Sequence, residues 1–250
     1  MIYQILSKAG LIFGLILIAG CGTSQKSGHS GVAEAKRTAT INVELQPLPE
    51  TAPKEGATNS LPPLEGEGWQ PMFDGKTLKG WRETEFAGRG EVQYKPGVVV
   101  LKMGDPFTGI NWSNDFPKIN YEIALDAMRV SGSDFFCGLT VPVGDAFCSL
   151  IVGGWGGSVV GISSLDGMDA SENETSKFMN FDNGRWYRIR LRVTDKKIQA
   201  WIDKEKMVDV ETVGKRISVR AGDIEMSKPF GLSAWETTAA FREMKFRPLK

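Results

Sequence analysis

The clearest pattern in the chain is a strict alternation of apolar and charged residues. Tyr187, Ile189, Leu191 and Val193 alternate with Arg188, Arg190 and Arg192, and after Asp195-Lys196 the period continues through Ile198, Ala200 and Ile202. A period of two marks strands with one buried face, so this segment predicts a hairpin. Tyr121, Ile123, Leu125 and Ala127 likewise alternate with Glu122, Ala124, Asp126 and Met128. The β-branched run Val98 to Met103 predicts another strand. Phe135 to Val141 and Phe147 to Val152, flanking Pro142-Val143-Gly144-Asp145, predict a second hairpin. Phe230 to Ala234 and Phe241 to Phe246 close the series. No segment carries a convincing 3.6-residue period. Many short strands separated by turn residues predict an all-β sandwich.

The first 66 residues have a different texture. Lys8 is followed by an apolar run from Leu11 to Ile18 that ends in Ile18-Ala19-Gly20-Cys21. The run is shorter than the ~20 residues a spanning helix needs, and small residues precede the cysteine, as in a secretory signal. The pattern resembles a bacterial lipobox, which implies cleavage after residue 20 and acylation of Cys21. Gly22, not aspartate, follows the cysteine, which points to a cell-envelope protein anchored at the outer membrane. From Gly22 to Gly66 the chain is rich in Ser, Thr, Pro, Gly and Glu, including Pro47, Pro49, Pro53 and Pro62-Pro63. This composition predicts a disordered stalk over 21–66, with a short strand at Ala39 to Leu45 as the structured alternative. The expected organisation is therefore a signal over 1–20, a linker over 21–66 and one domain over 67–250.

Charge and cysteine content narrow the chemistry. Thirty basic residues balance thirty acidic ones, so no basic excess exists to neutralise phosphates. Nucleic acid is not an expected partner, and membrane contact is expected through the lipid anchor alone. The single histidine, His29, precedes the domain. Histidine-based triads, general bases and zinc sites are thereby excluded from it, leaving carboxylates, Tyr, Lys, Arg or a bound metal. Cys137 and Cys148 form a disulfide if the hairpin turns at Pro142-Val143. They stay free and buried if it turns at Gly144-Asp145, the better turn pair.

Phe73-Asp74-Gly75-Lys76-Thr77-Leu78-Lys79-Gly80-Trp81 near the start of the domain, Gly184-Arg185-Trp186-Tyr187, and Phe241 to Leu249 at its end resemble the signatures of the DUF1080 (3-keto-disaccharide hydrolase, or 3-keto-glucoside lyase) family. The resemblance implies a concanavalin A-like jelly-roll sandwich acting on carbohydrate. The central segment, from Cys137-Gly138-Leu139-Thr140 to Gly153-Gly154-Trp155-Gly156-Gly157, departs from the pattern. The Glu-Asp-Glu alternation of the family 16 glycoside hydrolases does not occur in the chain, so retaining hydrolysis by that device is not expected.

Two segments carry candidate chemistry. Trp155 lies between glycine pairs that allow close approach, and Trp155 and Trp235 are the candidate carbohydrate platforms among seven tryptophans otherwise expected in the core. The loop from Ser163 to Glu174 concentrates oxygen donors. Asp166, Asp169, Asn173 and Glu174 are candidate ligands for a divalent cation, calcium above all, although a solvated polar loop is the favoured reading because the spacing is not that of an EF-hand. Arg188, Arg190 and Arg192 are expected to pair across strands with Glu122 and Asp126. Asp134, Asp145 and Glu236 become acid/base candidates only if a cleft falls beside them. The expected activity is cleavage of a 3-keto-glycoside, whose ketone acidifies the neighbouring C–H. The alternative is a non-catalytic glycan-binding lipoprotein.

Overall fold

In the computed structural model, which describes residues 61–250, the alternating segments pair into two antiparallel sheets. The expected signal, Cys21, His29, the Ala39 to Leu45 alternative and the expected linker up to residue 60 lie outside the described residues. The strands are β1 (Gln70–Pro71), β2 (Trp81–Glu83), β3 (Val92–Lys95), β4 (Val98–Leu101), β5 (Phe107–Trp112), β6 (Tyr121–Gly132), β7 (Cys137–Val143), β8 (Ala146–Gly154), β9 (Val159–Ser163), β10 (Lys177–Phe178), β11 (Trp186–Val193), β12 (Lys197–Ile202), β13 (Glu205–Glu211), β14 (Gly231–Trp235) and β15 (Thr237–Pro248). The first sheet runs β13-β12-β11-β6-β15-β4-β3, with β1 also on β15, and the second runs β10-β9-β8-β7-β14-β5-β2. This is the all-β jelly-roll sandwich expected from the sequence.

The inner faces supply one shared core. From the first sheet come Ile123, Leu125, Ile189, Leu191 and Ile198, and from the second Leu139, Leu150, Val152, Ile162 and Leu232, all essentially buried. The Tyr121 hydroxyl donates to the Pro142 carbonyl, giving one of the largest core side chains a partner for its polar tip.

The outer face of the first sheet carries the charged rows. Register places Arg188 opposite Asp126 and Arg192 opposite Glu122. Asp126 receives Arg188 from β11 at 2.7 Å and Arg242 from β15 at 3.3 Å. Glu122 receives Arg192 at 2.6 Å and also Arg247. Each buried carboxylate thus sits between guanidiniums from both neighbouring strands. Residues 61–69 run along this face, including the last residues of the expected linker. Arg188 donates to the Pro62 carbonyl at 2.6 Å, Arg247 donates to the Glu67 carbonyl at 3.2 Å, and the Arg247 guanidinium lies 4.7 Å from the centre of the Trp69 ring.

Two expectations resolve in the structure. The hairpin of β7 and β8 turns at Gly144-Asp145, with Val143 opposite Ala146, so Cys137 faces Val152 and Cys148 faces Val141. Both thiols are free and fully buried, and burial pushes the Cys148 thiol up to about 12. The expectation that most tryptophans are core is corrected. Only Trp81 is buried, while Trp69, Trp112, Trp186, Trp201 and Trp235 are half-buried and Trp155 is exposed. The outer-face charges explain part of this, because Arg242 stacks on Trp186 at 4.2 Å and Arg190 on Trp201 at 4.0 Å.

Candidate functional site

The outer face of the second sheet carries residues of a different kind. Val159 and Ile151 project outward between the core positions of β9 and β8, as do Phe107 on β5 and Trp235 on β14. With Phe86, Phe135, Ala170 and Ile224 they make a second apolar cluster, separate from the sandwich core. Phe107 centres the packing, stacked on Phe86 at 4.8 Å and edge-on to Trp235 at 4.6 Å. The long connection from β13 to β14 crosses this face. Its single 3-10 turn, Asp223–Ser227, is tied down by Asn111, whose side-chain amide donates to the Met226 and Lys228 carbonyls at 3.1 and 3.2 Å.

Between this turn and the sheet lies a cavity of about 460 Å³, within the 300–1,000 Å³ range typical of small-molecule sites. Phe107, Phe135 and Ile151 give it an apolar wall, and both candidate platforms, Trp155 and Trp235, line it. Its polar groups are Asp134, Ser163, Arg220 and Asp223.

Trp155 reaches the cavity from the β8–β9 turn. Its backbone is left-handed, at φ 49°, with Gly153, Gly156 and Gly157 also at positive φ. That conformation is unusual for a bulky residue and persists only where neighbours hold it. The neighbour here is Asp134. One carboxylate oxygen accepts from the Gly156 N–H at 3.0 Å and the other from the Phe135 N–H at 2.7 Å. The same side chain therefore lines the cavity and fixes the turn that presents the indole, which is 40% exposed. Of the other two conditional acid/base candidates, Asp145 is held by Lys118 at 2.7 Å. The backbone N–H of Glu236 bonds to the Pro106 carbonyl, and neither residue lines the cavity.

The sequence model of the family described as the 3-keto-alpha-glucoside-1,2-lyase-like domain matches residues 68–247. The chain belongs to that family. Among solved structures, the fold is similar to a β-glucanase of Bacillus licheniformis, with 8% identity over 74% of this chain and 100% of that one at a TM-score of 0.48. It is also similar to a carbohydrate-binding module from Bacillus subtilis, with 14% identity over 67% of this chain and 95% of that one at a TM-score of 0.47. No curated protein matches the chain. In the family's opening segment, Asp74 folds a tight turn by accepting from the Lys76 and Thr77 N–H groups and the Thr77 hydroxyl at 2.6 to 2.7 Å. The Thr77 bonds, first of all its hydroxyl, lower the Asp74 pKa to about 2.

The four candidate cation ligands do not converge. Asp166 accepts from the Arg216 N–H and meets Lys215 at 3.4 Å, and Glu174 meets Lys215 at 2.6 Å. Asn173 donates to the Ile162, Met168 and Asp169 carbonyls, and its oxygen accepts from Thr175. Asp169 points elsewhere, accepting from the Ser163 and Ser164 hydroxyls at 2.9 and 3.1 Å and pairing with Arg220 at 3.2 Å. Among the described residues no three His, Cys, Asp or Glu side chains are grouped to hold a metal. The acidic loop is a self-satisfied structural loop whose oxygens are occupied by the chain's own cations and N–H groups, so these residues do not fit a calcium ion.

Sequence reasoning misses Arg220, Asp223 and Ile224. They come from a connection with no period to read, and only its Gly222-Asp223 pair marks the turn that brings them to the cavity.

Proposed function

We propose that the chain cleaves the glycosidic bond of a 3-keto-glycoside by elimination in the cavity between β14 and the 3-10 turn. The observation that carries the reading is the convergence of Trp155, Trp235 and the anchored carboxylate of Asp134 on one sugar-sized space within a 3-keto-glucoside lyase-like domain. The aromatic faces bind the apolar side of a pyranose ring. Asp134 is the base. It takes the C2 proton, acidified by the C3 ketone, and the C2–H electron pair passes through the C2–C3 enolate, with its charge on the C3 oxygen, before it becomes the C1=C2 double bond. The C1–O bond breaks, and the aglycone oxygen leaves with the C1–O bonding pair and takes a proton from water. The products are an enone and the free alcohol, and addition of water to the enone makes the net reaction a hydrolysis. We further propose that Cys21 is acylated and tethers the domain in the cell envelope, with carbohydrate as its partner.

The test supplies the purified chain with a chromogenic aryl 3-keto-glucoside and with its parent aryl glucoside. Release of the aryl group from the ketone alone supports the elimination. Binding of sugar without release would establish a glycan-binding protein instead.

A further inference from the structure

We infer that Arg220 receives the ketone oxygen of the substrate and makes the cavity selective for oxidised sugars. This rests on the elimination reading and assigns the electrophile that the reading requires. Taking a proton from C2 places negative charge on the C3 oxygen, and the step is accelerated by hydrogen-bond donors or positive charge already fixed beside that oxygen. Among the described residues, Arg220 is the one basic side chain on the cavity wall.

Its placement is built from both ends. Ser164 and Ser218 exchange two backbone hydrogen bonds at 2.6 and 3.2 Å, pinning the chain two residues before Arg220. On the far side the chain turns through Gly222, at φ 121°. The guanidinium itself is held by Asp169 at 3.2 Å, and Asp169 is fixed in turn by the two serine hydroxyls of the adjoining β9 end. A guanidinium has five N–H donors in a planar fork, so one contact to Asp169 orients the group and leaves donors for a ligand. The Arg220 side chain is 57% exposed, against 20% for Asp169, which is the exposure expected of a group that waits for an oxygen from the cavity. Asp169 is thus a positioning residue. Its carboxylate is engaged by Ser163, Ser164 and Arg220, and its role in the site is to aim a cation that belongs to the chain.

The experiment uses the purified full-length chain, the aryl 3-keto-glucoside and the parent aryl glucoside, reading affinity by tryptophan fluorescence and turnover by aryl release. The wild type binds the ketone more tightly than the parent. Arg220→Ala lowers affinity for the ketone about tenfold, leaves the parent within about twofold, and slows aryl release by about a hundredfold, the loss typical of removing one donor from a developing oxyanion. Arg220→Lys, which keeps the charge and can keep the Asp169 pair, retains part of the preference. Added guanidinium restores part of the Arg220→Ala rate. Equal ketone affinity and equal turnover in the wild type and both variants would overturn the assignment while leaving the elimination reading intact. Loss of wild-type turnover on adding a chelator would move the electrophile to a bound cation and overturn it as well. A wild type that binds the ketone selectively through Arg220 without releasing the aryl group would remove the elimination reading and keep Arg220 as the selectivity determinant.

Discussion

Trp155 combines two features that pull apart energetically: a ring open to the cavity and a backbone at φ 49° that glycine adopts more readily. Trp155→Ala removes the ring and leaves the backbone conformation, so it is expected to weaken sugar binding about tenfold with little change in melting temperature. Trp155→Gly should weaken binding equally and hold or raise the melting temperature, because the left-handed conformation then costs nothing. A fall of many degrees in either variant would place the ring in the structural core. At Asp74 the sign of the pH effect is fixed by the direction of its shift. Its folded pKa, about 2, lies below its ordinary value of 3.8, so the stability it contributes is complete above pH 3.8 and is lost as pH falls toward 2. Asp74→Asn should flatten the stability profile between about pH 4 and 2 and leave the profile above that range parallel to wild type, as read by urea melts. The thiols follow from register. Alkylation of the denatured, unreduced chain should label both Cys137 and Cys148.

At the level of elements, the three central strands of the first sheet depend on two buried carboxylates. Glu122 is fully buried between Arg192 and Arg247. Glu122→Ala leaves two guanidiniums without their shared anion and is expected to cost about 3 kcal/mol by chemical denaturation, in line with breaking a buried pair. The pairings of Arg188 and Arg192 are legible in the sequence, because alternation on β6 and β11 puts the charges on one face, whereas those of Arg242 and Arg247 from β15 are not. Strands β5 and β9 are not. Both are covered on two sides, the outer one by the second apolar cluster, so Phe107-Thr108-Gly109-Ile110-Asn111-Trp112 and Val159-Val160-Gly161-Ile162-Ser163 show no clean alternation. Similar covering explains Trp69, Trp186, Trp201 and Trp235 among the corrected tryptophans. Outer faces here are filled by aromatic rings beneath arginines or beneath the β13–β14 connection, so large apolar residues are not confined to the core.

For the whole molecule, the candidate site is an assembly of sequence-distant pieces. Trp155 is legible from its flanking glycines and Trp235 is named with it as a candidate platform, but nothing in the sequence indicates that they share a cavity. Arg220 and Asp223 cannot be found by pattern, since a long irregular connection fixes them through Asn111, Ser164 and Asp169. The acidic loop reads as a cation site because composition counts donors without showing which are already occupied by Lys215, Arg216 and Arg220. The central claim is that this cavity eliminates the aglycone of an oxidised sugar. Its most direct test is aryl release from an aryl 3-keto-glucoside by the wild-type chain and by Asp134→Asn, with the parent aryl glucoside as control. The account predicts release from the ketone, none from the parent, and a loss of about a hundredfold or more in Asp134→Asn. Release at the same rate from both sugars, or undiminished release by Asp134→Asn, would contradict it.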